Sequence, residues 1–235
     1  MACYTVEKLQ EGVHMISEKY VRMFLVEGTE GAVLIDTGFG GGDLVQLIRE
    51  ITDRPVTVIN THAHGDHCGA NTQFELIMAN GADFAALREI TDTKAGEAFD
   101  LVALRDGDEL DIGGRTLRVI EIPGHTPGSI ALLDVEHRIL FSGDTLQEGP
   151  VYLFLEGSSL EAFEQSLERL DELKGSYDVV YAAHNKLPID ASYIEDLLTL
   201  TAELVEGTAE PLETLDREGQ IYHTYGKGRV KIYYH

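Results

Sequence analysis

His62-Ala63-His64-Gly65-Asp66-His67 places three imidazoles and one carboxylate within six residues. The stretch follows the apolar, β-branched run Val56-Thr57-Val58-Ile59, so it lies where a buried strand ends. Imidazole and carboxylate are ligands that a borderline divalent ion such as zinc accepts. Without an ion, each of these groups must be hydrated or hydrogen-bonded, and none fills a core well. On residues alone, the stretch reads as a solvated polar loop, a fortuitous histidine cluster or a metal site. Its internal position at a strand end favours the metal site.

Three more potential ligands sit at comparable places. His125 lies in Pro123-Gly124-His125-Thr126-Pro127-Gly128, after the strand-like run Thr116-Leu117-Arg118-Val119-Ile120-Glu121-Ile122. Asp144 follows Ile139-Leu140-Phe141 and the small pair Ser142-Gly143, and His184 ends Asp178-Val179-Val180-Tyr181-Ala182-Ala183. Taken singly, each is as readily a cap or a turn residue. Taken together, they occupy strand ends, where a rigid sheet fixes side chains relative to one another.

With these residues in place, the chain resembles the metallo-β-lactamase superfamily. The resemblance rests on His62-x-His64-x-Asp66-His67 with His125, Asp144 and His184, and runs from about Val13 to about His184. It implies an α/β (α+β) fold of four layers, an αβ/βα sandwich in which two mixed β-sheets lie back to back with helices on the outer faces. It also implies two divalent ions, zinc first, with iron or manganese as alternatives. His62, His64 and His125 would hold one ion, and Asp66, His67 and His184 the other, with Asp144 between them. Asp36, closing the strand-like Ala32-Val33-Leu34-Ile35, would orient a ligating imidazole through its other ring nitrogen; as a residue alone it is also a plain strand-end turn.

Three strong ligands per ion and one bridge leave coordination positions for water, and two ions sharing it would keep hydroxide available near neutrality. Asp66 and Asp144 would then be the catalytic carboxylates, holding the hydroxide and relaying a proton to the leaving group. The expected activity is metal-dependent hydrolysis of a small ester, thioester or lactone. Two alternatives stay open: a mononuclear iron sulfur-dioxygenase-like enzyme acting on a persulfide through His62, His125 and Asp144, and a phosphodiesterase of the same fold. His64 stands where flavo-diiron relatives carry a carboxylate, which argues against redox chemistry. Hydroxyacylglutathione hydrolases carry a longer helical C-terminal extension, whereas about fifty residues follow His184 here, which argues against that assignment.

The expected pocket walls are less legible. The segment Gly149 to Gly157 follows Asp144 closely and offers Tyr152 and Phe154 as an apolar wall. A loop from Phe84 to Phe99 is a second candidate. Cys68 is a possible soft ligand or thiol, or else a small residue entering the next helix. His223 is a candidate to reach the pocket from the end of the chain. His14, His137 and His235 read as ordinary imidazoles, and Tyr181 as core.

Composition sets the remaining bounds. The chain has 235 residues and 43% hydrophobic residues, without a linker or low-complexity tract, so a single domain over 1–235 is expected. A net charge of −23 disfavours nucleic acid, whose phosphates require basic patches. A small-molecule substrate is the expected partner. No stretch approaches the roughly 20 apolar residues that span a bilayer, and no secretory signal is read at the N-terminus. Two cysteines make no disulfide framework. The expectation is a cytoplasmic protein with no membrane contact; oligomeric state is open, a homodimer included. Periodicity predicts a hairpin around Gly28-Thr29-Glu30-Gly31 and an N-cap at Asp43. It also predicts a capping box at Ser158-Ser159-Leu160-Glu161 opening a helix that Gly175 ends, a helix from Ser192 to Glu206, and a terminal hairpin of Ile221–Tyr225 and Arg229–Tyr234.

Overall fold

The apolar runs of the sequence become strands buried on both faces, as strands sandwiched between two layers must be. In the computed structural model, which describes residues 3–94, 99–217 and 220–235, seven strands form a first sheet in chain order. They are β1 (Thr5–Gln10), β2 (Val13–Glu18), β3 (Val21–Glu27), β4 (Ala32–Ile35), β5 (Val56–Ile59), β6 (Leu76–Asn80) and β7 (Asp100–Leu104). The first four pair antiparallel, with the expected hairpin between β3 and β4, and β4 to β7 pair parallel. Parallel neighbours need crossovers. Helix α1 (Leu44–Ile51) supplies one between β4 and β5, and α2 (Phe84–Lys94) another between β6 and β7.

The second sheet contains β8 (Glu109–Asp111), β9 (Thr116–Glu121), β10 (Ile130–Asp134) and β11 (Ile139–Gly143), all antiparallel. The chain then leaves it through β12 (Gly149–Leu153) and α3 (Leu160–Glu172), and returns as β13 (Val179–Ala182), parallel to β11. Helix α4 (Ser192–Val205) follows.

Alternation along the strands explains the layers. Phe24, Val26, Val33 and Ile35 of the first sheet meet Leu117, Leu132 and Phe141 of the second in one core. The intervening residues Met23, Leu25 and Leu34 face α1 through Leu44 and Ile48. On the far side, Ala131, Leu133 and Leu140 face Phe163 and Leu167 of α3 and Leu197 of α4. The two mixed sheets with helices outside are the expected four-layer sandwich.

Asp43 caps α1 as expected, its Oδ1 accepting from Gln46 N at 2.8 Å. The cap of α3 falls one residue later than the sequence reading: Ser159 accepts from Ala162 N at 3.2 Å. Ser158 is taken by the preceding turn, donating its hydroxyl to Leu155 O at 2.7 Å. The helix ends at Glu172, before Gly175, which sits in a short 3-10 turn.

A third sheet was not foreseen. The terminal hairpin of β15 (Gln220–Lys227) and β16 (Val230–Tyr234) exists, but β14 (Glu213–Arg217) flanks β15 on one side. On the other, β12 pairs in parallel with β16, setting Tyr152 beside Tyr233. One face of this sheet, with Val151, Val230 and Ile232, packs on the α3–α4 core. The other face is free to border a cavity. No helix among the described residues is long and apolar enough to cross a membrane.

Candidate metal centre

Strands β4, β5, β9, β11 and β13 all end on the same edge of the sandwich, by the strand pairing. Their continuations deliver Asp36, the His62–His67 turn, His125, Asp144 and His184 to one place. Gly143 makes the last step of β11 possible. Its φ of 53° lies in the left-handed region, and a Cβ there would stand 2.9 Å from Thr61 Oγ1.

The imidazoles are oriented from behind. Asp36, buried and itself left-handed at φ 63°, accepts from Thr61 N at 2.7 Å on Oδ1, and from Thr61 Oγ1 and His67 Nδ1, both at 2.8 Å, on Oδ2. With its hydroxyl proton committed to Asp36, Thr61 Oγ1 accepts from His62 Nδ1 at 3.1 Å. His125 Nδ1 donates to Tyr152 O at 2.8 Å, and His184 Nδ1 to Tyr20 O at 2.7 Å. Four rings therefore carry a proton on Nδ1, and each turns Nε2 inward.

Those Nε2 atoms face one another and two carboxylates. His67 Nε2 lies 3.3 Å from both His184 Nε2 and Asp144 Oδ1. Asp144 Oδ2 lies 3.5 Å from His125 Nε2 and 3.4 Å from His184 Nε2. Asp66 Oδ2 lies 3.5 Å from His184 Nε2. His62 Nε2, His125 Nε2 and Asp144 Oδ1 are buried with no hydrogen-bond partner. Each such atom costs about 1–3 kcal/mol, so acceptors crowded against acceptors need a cation between them. The donors group as His62–His64–His125 and as Asp66–His67–His184, each within 4.8 Å, with His62, His67 and Asp144 forming a third group that joins the two.

Burial and neighbouring charges set the protonation of these groups. Burial, followed by the neighbouring imidazoles, pushes His62 well below its ordinary pKa and His64 down to about 3, and burial also lowers His125. These rings are neutral and ready to ligate. Burial opposes charge on His67 and His184 too, but the Asp144 carboxylate outweighs it and raises both, with help from Asp36 at His67. Burial would raise Asp144, yet His67 and His184 hold it well below the usual carboxylate range.

His64, Asp66, His125, Asp144 and His184 open onto a cavity of about 840 Å³. Tyr152 and Phe154 line it as anticipated, together with Tyr222 and Tyr233 from the third sheet. Phe154 and Tyr222 stack at 4.2 Å between centroids, and Tyr233 lies 5.8 Å from Tyr222 and 5.1 Å from Tyr152.

Residues 17–184 match the profile of the Metallo-beta-lactamase superfamily. The chain belongs to that superfamily. It is 30% identical over 225 residues to the acyl-coenzyme A thioesterase MBLAC2 of Homo sapiens, covering 77% of this chain and 81% of the relative. It is 31% identical over 211 residues to a hydroxyacylglutathione hydrolase of Methylococcus capsulatus, covering 88% of this chain and 77% of the relative. Among solved structures, a metallo-beta-lactamase from Pontibacter korlensis superposes with a TM-score of 0.68 at 22% identity, covering 85% of this chain and 99% of the other. The superfamily binds metal ions, and these curated relatives are thioester hydrolases. The short C-terminal segment, read above as an argument against hydroxyacylglutathione hydrolases, does not prevent that likeness.

Against this superfamily background, two expected pocket residues fall elsewhere. Cys68 is fully buried and donates its thiol to His64 O at 2.8 Å, so it sits behind the turn rather than on the cavity. His223 pairs with Thr214 across the β14–β15 hairpin, its Nδ1 2.9 Å from the hydroxyl, and does not line the cavity. Most of the Phe84–Phe99 segment is α2, and none of its described residues lines the cavity; residues 95–98 lie outside the described residues. Tyr181 is core, as read. Sequence reasoning missed Tyr20 and Arg22 at the cavity rim, and Asp83 behind it. Asp83 accepts from Ala63 N at 2.8 Å, Thr126 Oγ1 at 2.7 Å and Gly128 N at 2.7 Å, tying together the two loops that carry His62, His64 and His125.

Proposed function

We propose that this protein hydrolyses small thioesters with two divalent ions, zinc first, held by His62, His64 and His125 and by Asp66, His67 and His184, with Asp144 between them. The observation that carries this reading is the convergence of imidazole Nε2 atoms and two carboxylates at the foot of one open cavity, with His62 Nε2, His125 Nε2 and Asp144 Oδ1 buried and unpartnered. When bound, such ions polarise a carbonyl oxygen and acidify a water molecule. Choosing thioesters over esters and lactones rests on the relatives named above, each a thioester hydrolase by its name.

The residues of the chain do the rest. Asp66, partly exposed at the cavity floor with Oδ2 3.5 Å from His184 Nε2, takes the proton of the attacking water on that carboxylate. Water adds to the carbonyl carbon, the C–S bond breaks, and an acid and a thiol leave. A thiolate is a good leaving group at neutral pH, so one carboxylate suffices as proton relay and no separate strong acid is required. Asp144, held anionic by His67 and His184, sets the spacing of the two donor groups.

The test is a hydrolysis screen over thioesters, esters, lactones and phosphodiesters on protein of measured metal content. Thioesters should be turned over best, and Asp66→Ala should cost at least about 100-fold in kcat with fold intact. Unchanged turnover and unchanged metal stoichiometry in Asp66→Ala would sink the two-ion reading. A clear preference for phosphodiesters would replace the substrate assignment.

A further inference from the structure

The cavity has two unlike sides, and each is anchored to a different half of the donor cluster. On the His125 side, Tyr152 accepts from the ring with its backbone oxygen, and the aromatic wall of Tyr152, Tyr222, Tyr233 and Phe154 extends from there. Only Leu155 and Pro150 among the lining residues are aliphatic, so the wall is flat and ring-faced rather than a sleeve for an alkyl chain.

On the His184 side, Tyr20 O holds the ring, and Arg22 grips the same loop. Its backbone N–H donates to Ala183 O at 2.9 Å, Nη1 to Ala182 O at 3.4 Å, and Nη2 to Asn185 O. Those bonds use two of the five guanidinium N–H groups, leaving others for an anion. Arg22 is the only lysine or arginine lining the cavity among the described residues. Burial alone lowers its pKa, with no carboxylate acting on it. Acidic groups are not scarce in a chain with 41 of them against 18 basic residues. The more deeply buried Arg115, by contrast, is paired with Asp134 at 3.1 Å.

We propose that the site selects acidic thioesters, with a carboxylate on one arm bound by Arg22 and a flat apolar group on the other arm lying against the Tyr152–Tyr222–Tyr233–Phe154 wall. This rests on the thioesterase reading and adds the shape and charge of its substrate. The reacting carbonyl then lies over the His/Asp cluster, between the two arms.

The probes are S-phenylacetyl-3-mercaptopropionate, its uncharged carboxamide counterpart and the corresponding S-acetyl pair. In the native enzyme the carboxylate should be preferred over the carboxamide by about ten-fold or more in kcat/KM, carried by KM, as one charge-assisted pair provides. Arg22→Gln should bring that ratio to about one, Arg22→Lys should keep part of it, and Tyr222→Ala should shrink the preference for phenylacetyl over acetyl. Ratios are taken within one preparation, so a change in metal content cancels. Calorimetric binding of N-phenylacetyl-β-alanine should weaken about ten-fold in Arg22→Gln, while its neutral amide binds both proteins alike. A carboxylate-to-carboxamide ratio near one in the native enzyme, or one that Arg22→Gln does not move, overturns the proposal and leaves thioester hydrolysis standing. If no thioester is cleaved, the thioesterase reading fails, and the calorimetry still decides whether Arg22 binds the anion.

Discussion

Asp36 makes three hydrogen bonds with two oxygens from a left-handed backbone that an L-residue adopts at a cost of roughly 1–2 kcal/mol. Such a conformation persists where the surroundings over-determine it, and here they fix the ring of His67 and, through Thr61, that of His62. Asp36→Asn removes the charge and one acceptor while keeping the shape. It should weaken metal binding about 10–100-fold, read by chelator competition, with little change in fold. A second prediction follows from the raised pKa values of His67 and His184. In the metal-free protein the Asp144 carboxylate favours the protonated form of both rings, and an ion must displace that proton. Loading should therefore release protons, up to about two per chain, and apparent affinity should rise with pH and fall as pH drops. Calorimetry in buffers of different ionisation enthalpy counts them; no proton release would contradict the assignment of both rings as ligands. That these seven candidate donors gather in one place was legible from their positions at strand ends joined to the superfamily resemblance. Asp83 was not, since one carboxylate on a short turn looks like any cap.

At the level of elements, contacts between loops help to hold the site together. Asp83 joins the His62–His64 turn to the His125 loop, and its approach is so close that a Cβ on Gly128 would lie 2.6 Å from its carboxylate. Asp83→Ala strands three donors, at about 1–3 kcal/mol each. Urea unfolding of the metal-loaded protein should show a loss of at least about 3 kcal/mol, with metal leaving the His62–His64–His125 group first. Retained stability and stoichiometry would show that the two loops are fixed independently. Helix α4, the β3–β4 hairpin and the cap at Asp43 were legible to within a residue or so, because capping chemistry and period are local signals, whereas α2 was expected as a loop. The displaced cap at Ser159 shows the limit: Ser158 and Ser159 are equivalent in sequence, and only the preceding turn, which takes the Ser158 hydroxyl, separates them.

On the scale of the whole molecule, two stacked sheets bring five strand ends to one edge, and a third sheet closes the cavity beside them. The sandwich was legible through its resemblance to a known superfamily. The third sheet was not, because β12 and β16 pair across about eighty residues of chain, and alternation says which residues share a face but not what that face meets. The same reason hid Tyr222, Tyr233, Tyr20 and Arg22, which gather around the cavity from opposite ends of the sequence. The large negative charge is spread over the exterior, while the centre concentrates acceptors that only cations can reconcile. The most direct test of the central claim is thioester turnover measured against metal content as metal-free protein is titrated with zinc. The account predicts that turnover climbs until two ions are bound per chain and stops rising there. Full turnover at one ion per chain, or a protein that binds one iron and cleaves no thioester, would contradict it.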